Sequence, residues 1–472
     1  MKKKPNRIFP VFFICSVLLL LISCSYMKTD LGNEDIDVSI TQIEISGKKY
    51  VILSFNTITS ALEIPASVQD LPVLKIYFNK TTNLSALTSI TFDESSSVTE
   101  IDTFKGASSL GSIVLPDSLT VMPTFQNCKA LTTVTLSSKI TEIPESCFEG
   151  CTALVSVSKP VTGNSGSGNL NGITAIGKSA FNGCTKLTSI ALETTSITEL
   201  MDQTFYKCSA LTTVKLPGTV QAIGKEVFGS CGELKTVEGF ENVATLGDKI
   251  FDSCSKLETI KLNSQITVIP DNMFSGCSAL KAFDFPEQLT KIGKDAFYKC
   301  NALTTVKLPE TVKSVGAEAF GSCINLTKVE GFEKAVTLGE KIFESCSKLS
   351  EIKISEQIEK IPESMFSGCS SLKTFTIPEK VKEIGNSAFA NTLLKELFCY
   401  AKEPPKITKP GLPEKTNTKP AETKKPEIYV YVPEESVAVY IEKWGEVLDL
   451  DNKIEISAIE NYEGQNNSET EE

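Results

Sequence analysis

The sequence predicts an α/β repeat solenoid: an arc with a parallel β-sheet on its concave face and short helical or 3₁₀ turns on its convex side. Three observations predict it. A phenylalanine returns every 23 residues from Phe205 to Phe389, after looser spacings at Phe104, Phe125, Phe148 and Phe181. A cysteine stands three residues after most of these, from Cys128 to Cys369, and a leucine generally three residues beyond it. Each interval also holds a short stretch of alternating apolar and polar residues, in many units ended by proline. Self-similarity at a fixed short period is the mark of stacked units that bury one another.

The unit reads L-x-x-[VI]-x-L-P-x-x-[VI]-x-x-[IV]-G-x-x-x-F-x-x-C-x-x, and LTTVKLPETVKSVGAEAFGSCIN from Leu303 is a clean copy. LTTVKL alternates and is rich in β-branched residues, so it predicts a strand. The following proline ends that strand, because it has no N–H to give to a ladder. Phe and Cys three residues apart fit one turn of helix or 3₁₀-helix. A unit this short cannot enclose a core, so its apolar face must be covered by the units before and after it.

This pattern resembles the BspA-like leucine-rich repeats, a family of bacterial surface proteins, over about residues 62–400. Leu62-Glu63-Ile64-Pro65 and the following ASVQDLPV look like the family's opening repeat. FCYAKEPP at 398–405 and IYVYVPEESVAVYIEKW at 428–444 look like its terminal cap. A longer period overlies the short one: residues 211–302 and 303–394 are near copies offset by 92. A solenoid tolerates such block duplication because each unit touches only its neighbours.

The ends suggest export. Lys2, Lys3, Lys4 and Arg7 precede an apolar run from Ile8 to Ile22, which closes at Leu21-Ile22-Ser23-Cys24. A basic start, a short apolar core and a small residue before the cut mark a secretory signal. The stretch resembles a bacterial lipobox, which implies Cys24 as the lipid attachment point and membrane association through it. The organisation read from the chain is a signal peptide over 1–23, and a lipid tether and N-terminal β cap over 24–61. A leucine-rich-repeat solenoid of about fourteen 23-residue units follows over 62–397, then a C-terminal cap over 398–459 with a Lys/Pro-rich insertion at 402–427. Residues 460–472 form an acidic disordered tail. Within the cap, ITQIEISGKKYVILSF at 40–55 predicts two strands joined at Ser46-Gly47-Lys48.

Composition narrows the function. The formal charge is −11, and removing residues 1–23 leaves −15. An acidic chain without a basic block is a poor nucleic-acid binder, since Lys and Arg contacts to phosphate supply most of that affinity. Histidine is absent, so no His-based triad, general base or metal ligand exists. No C-x-x-C pair or other metal-ligand spacing occurs, and no cofactor motif. The chain is therefore not expected to be an enzyme, to hold a metal or cofactor, or to take a small-molecule substrate. The column cysteines read as small buried hydrophobes, and Cys147 and Cys399, outside the column, as the stronger candidates for other chemistry. The glycine-containing run Thr162–Gly172 reads as a surface loop.

The candidate binding residues lie on the outward side of each predicted strand. With the unit's leucine as position 1, positions 4 and 6 face the core and positions 3 and 5 line the concave surface. Thr213 represents position 3; position 5 reads Lys215, Glu238, Lys261, Asp284, Lys307, Glu330, Lys353, alternating in sign at every rung. Rungs about 4.8 Å apart would set each charge between two opposite ones. This is either a structural ladder or a recognition stripe, and the alternating sign favours the ladder. Earlier rungs carry Thr91, Val114, Thr135, Ser158 and Ala191 there, a nearly uncharged surface. Phe240 and Phe332 follow a glycine that replaces the core leucine. They either swing inward to fill the missing volume or stand out as aromatic anchors, and the missing volume favours the inward position. The family resemblance implies a cell-surface, adhesin-like protein binding a host matrix protein, host receptor or other bacteria. A periplasm-facing structural lipoprotein of the envelope is the alternative.

Overall fold

The computed structural model describes residues 22–25, 36–160, 169–408, 411–412, 428–445, 454–460 and 462. Most of the expected signal peptide, part of the tether, residues 161–168 of the loop, most of the 402–427 insertion and nearly all of the tail lie outside the described residues. So does the side chain of Cys24; only the backbone of Ile22–Ser25 is described, as a strand antiparallel to Asp37–Ile45.

Most rungs carry two short strands. The first is the alternating segment: Thr213–Lys215 pairs in parallel with Thr236–Glu238, residue for residue at an offset of 23. Its central residue is buried and, on most rungs, its outer two are exposed, as in Thr305–Lys307 and Lys328–Glu330. Nine residues on, a two-residue strand forms a second parallel ladder, in which Ala222–Ile223 lies between Glu199–Leu200 and Thr245–Leu246. The result is a repeat solenoid of stacked parallel strands.

On the phenylalanine side the chain makes single hydrogen-bonded turns that do not extend into helix. Within the described residues helix is confined to short 3₁₀ turns, such as Phe240–Asn242 and Phe332–Lys334, to the C-terminal helix Val437–Gly445 and to residues 459–460 and 462. The reason lies in the backbone. In most units the residues two before and two after the phenylalanine are left-handed, as at Glu226 (φ 57°) and Ser230 (φ 60°) around Phe228. The 3₁₀-type bond expected of Phe and Cys three apart does form, from Cys231 N–H to Phe228 O at 3.1 Å, but the left-handed residues stop it from propagating. They also turn alternate N–H groups along the solenoid axis. Glu226, Phe228 and Ser230 donate to Asp248, Ile250 and Asp252 of the next rung at 2.9, 3.0 and 2.7 Å. A left-handed non-glycine residue costs about 1–2 kcal/mol. Each inter-rung bond returns about 0.5–1.5 kcal/mol, and three are made per unit.

The core is a set of columns. Phenylalanine rings from Phe104 to Phe389 stack in offset fashion with centroids 5.1–5.9 Å apart, the arrangement aromatic quadrupoles favour. The stack extends back through Phe78 and Phe55, so the N-terminal segment continues the repeat's own core. Beside it runs the cysteine column, buried and unpaired throughout, Cys147 and Cys399 included.

The two ends are closed differently. Asp37–Ile45 and Lys48–Thr57 form an antiparallel hairpin about a left-handed Ser46-Gly47 turn, and the second strand pairs in parallel with Leu71–Phe78. At the other end Thr374–Ile377, Glu396–Cys399, Ile428–Val432 and Ile454–Ala458 make a parallel sheet. Helix Val437–Gly445 packs Tyr440 and Trp444 onto the last rung. Tyr440 donates to Ala401 O at 2.7 Å and the Trp444 indole donates to Pro405 O at 2.9 Å. Two carbonyls of the final rung thereby find donors where no further rung exists.

Candidate binding surface

The residues expected to line the strand face are brought to one surface. Thr213, Lys215, Glu238, Lys261, Asp284, Lys307, Glu330 and Lys353 are all exposed. Lys215 faces Glu238 across the ladder, and Lys307 faces Glu330. Lys261, Asp284 and Lys353 lie outside any strand.

The charge ladder is looser than its register allows. Lys215 and Glu238 approach to 3.9 Å with both side chains more than 60% exposed, a pair contributing at most about 1 kcal/mol. Glu330 turns to Lys328 of its own strand at 3.1 Å, and that contact raises the Lys328 pKa. Inter-rung ion pairs instead spread over other columns at the same offset: Lys256 with Glu233 at 2.6 Å, Lys360 with Glu383 at 2.9 Å, Lys382 with Glu359 at 3.0 Å. No single column of the strand face is therefore neutralised.

Phe240 and Phe332 are not surface anchors. Both are buried, 5.3 and 5.0 Å from the column rings Phe251 and Phe343. The preceding Gly239 and Gly331 are left-handed, and a Cβ there would stand 2.7 and 2.2 Å from Leu216 O and Leu308 O. The chain can turn the ring inward only because no side chain stands at those points. Lys159 occupies the same core position in its own unit; it is buried, its Nζ donates to Ser138 O at 3.3 Å, and burial lowers its pKa.

The two ends of the strand face differ from its charged middle. Toward the N-terminus, Thr91 and Val114 are exposed beside a groove of about 550 Å³ lined also by Phe92, Pro116 and Pro160. Val114 is 66% exposed, although it is a strand residue flanked by core. Toward the C-terminus the outward positions become aromatic. Phe398 stacks on Tyr431 at 5.1 Å, Tyr429 follows at 6.4 Å, and Tyr462 meets both Phe398 and Tyr431 edge-on or tilted at 4.9 Å. Partial burial, then Glu396, raise the Tyr431 pKa. Sequence reasoning passed over this cluster, although the alternation in IYVYV would have signalled it.

The cysteines provide no chemistry at this surface. Burial pushes Cys231, Cys323 and Cys369 up to about 12 and Cys399 up to about 11, which keeps them as inert thiols. Each column thiol points to the phenylalanine carbonyl of the preceding rung, as Cys231 Sγ does to Phe205 O at 3.2 Å. Among the described residues no helix is long and apolar enough to cross a membrane, and no group of side chains is arranged to hold a metal ion.

A family profile described as BspA type leucine rich repeat region, in six copies, matches residues 74–167, 168–281 and 290–402. Curated proteins return no match. Among solved structures, a leucine-rich repeat protein from Bacteroides ovatus is 22% identical, covering 78% of this chain and 94% of its own, with a TM-score of 0.46. A leucine rich cell surface protein from Faecalibacterium prausnitzii is 24% identical over 76% and 86%, TM-score 0.40. The pneumococcal vaccine antigen PcpA is 16% identical over 93% and 99%, TM-score 0.37. With the profile covering well over half of the sequence and its repeats coinciding with the stacked Phe and Cys columns, the chain belongs to the BspA-type leucine-rich repeat proteins.

Proposed function

We propose that this chain is a cell-surface, lipid-anchored protein that binds other proteins in an adhesin-like manner through the outward face of its first strand ladder. The observation that carries the reading is the row of exposed outward residues, in ladder register where Lys215 faces Glu238 and Lys307 faces Glu330. A rigid, extended surface suits a macromolecular partner better than a small molecule, whose sites are enclosed. Apolar and aromatic groups concentrate at its ends, the exposed Val114 on one side and the half-buried Phe398 and Tyr431 on the other, and such side chains dominate binding energy in protein interfaces. The anchor rests on the basic start, the apolar run and the Leu21–Cys24 motif of the sequence.

Binding of the protein to immobilised host matrix proteins and to whole bacterial cells tests this. Val114→Glu at one end and Phe398→Ala with Tyr431→Ala at the other should each weaken binding about tenfold or more. Lys225→Ala, on the turn side of a rung, should leave it unchanged. Equal loss with all variants, or with none, would sink the strand-face assignment.

A further inference from the structure

A second concavity lies off the first strand ladder, where the last rungs of the second ladder meet the C-terminal helix. Its volume is about 930 Å³, against about 550 Å³ for the groove beside Val114. Pro404, Pro405 and Trp444 form its apolar floor, with Val381 and Ile407 beside them; Pro404 is half-buried and the other four are buried. Trp444 is held in place by its bond to Pro405 O.

Five lysines and three glutamates line it, a net positive groove on a chain of charge −11. Two of the lysines are matched by acids: Lys382 with Glu359 at 3.0 Å and Lys443 with Glu403 at 2.6 Å. Lys380 donates to the neutral Gln357 Oε1 at 2.6 Å. Lys402 and Lys406 are exposed at either end of the two prolines and make no ion pair among the described residues.

We infer that this groove binds an extended acidic polypeptide segment, its carboxylates on Lys402 and Lys406 and its apolar groups on the Pro404–Pro405–Trp444 floor. A single small anion would leave most of the volume and all of the apolar floor unused. A densely charged polymer would meet the rim glutamates and the negative field of the whole molecule. Acidic residues spaced by apolar ones reach both lysines, avoid the glutamates and cover the floor. The site is separate from the strand face, so it stands or falls independently of that reading.

Trp444 is the only tryptophan in the chain, so its emission reports on this groove alone. The test titrates the full protein with an N-acetylated (Glu-Pro)4 peptide, following Trp444 emission and, in parallel, calorimetric heat. Saturable binding is expected, weakened about tenfold or more by Lys402→Glu/Lys406→Glu and by raised salt. Lys402→Gln/Lys406→Gln should give an intermediate loss, and unchanged circular dichroism melts would show that both pairs of variants still fold. No saturable signal by either method, equal affinity for (Lys-Pro)4, or indifference to both pairs of substitutions would overturn the proposal. Binding of inorganic phosphate or of a sulfated polysaccharide at these lysines, without the peptide, would overturn the polypeptide assignment.

Discussion

The cysteine column shows how one atom decides a residue choice. A leucine would fill that position, but only a thiol can also donate. The Phe205 carbonyl accepts from Cys208 N–H of its own turn at 3.1 Å and from Cys231 Sγ of the next rung at 3.2 Å. The apolar character of the column was legible in the sequence. Its hydrogen bond was not, because the acceptor lies 26 residues away in another unit. The inward turn of Phe332 was legible from the missing leucine beside it, and Gly331 explains how it is achieved. Gly331→Ala should therefore destabilise by more than about 1 kcal/mol, read as a lowered denaturant midpoint; an unchanged midpoint would mean the turn relaxes freely. Phe274→Ala should cost about 3–5 kcal/mol, with hydrogen-exchange protection lost only in neighbouring rungs. Uniform loss along the chain would contradict nearest-neighbour coupling.

At the scale of elements, the first strand was legible because alternation and a closing proline are written in residue types. The phenylalanine turn was legible only in part, because Phe and Cys three apart fit a single turn and a longer helix equally well. Left-handed Glu226, Lys249 or Glu318 carry no sign of it in their identity; the inter-rung hydrogen bonds impose it. The stacked thiols give the element a pH signature. An unfolded cysteine ionises near 9, whereas in the fold Cys231, Cys323 and Cys369 are held at about 12 and Cys254, Cys277 and Cys300 well above their ordinary value. Between those values the unfolded chain releases protons that the folded chain keeps, so stability falls as pH rises. Each thiol contributes a loss of about 1.4 kcal/mol per pH unit in that window. Melting temperature should be nearly flat from neutral pH to about pH 8.5 and drop steeply by about pH 10. Cys277→Val should make the drop shallower, and a flat profile to pH 10 would contradict buried, protonated thiols.

Across the whole molecule, the repeat, its parallel stacking and its aromatic core follow from a 23-residue period and could be read without coordinates. The character of the outward face could be read only in part. The alternating charges were visible at position 5, yet the structure leaves most of them unpaired along that column and sends the ion pairs elsewhere. The aromatic end and the lysine-lined groove arise where the cap meets the last rungs, a junction that no repeat pattern describes. A long surface with an uncharged end, a charged middle and an aromatic end fits a protein that meets large partners outside the cell, provided the surface faces outward. Protease and antibody access to the solenoid on intact cells, compared with permeabilised cells, measures that directly. Cleavage and labelling on intact cells is the result expected of a surface-displayed binding protein; protection until the envelope is opened would contradict it and point to a scaffold facing the periplasm.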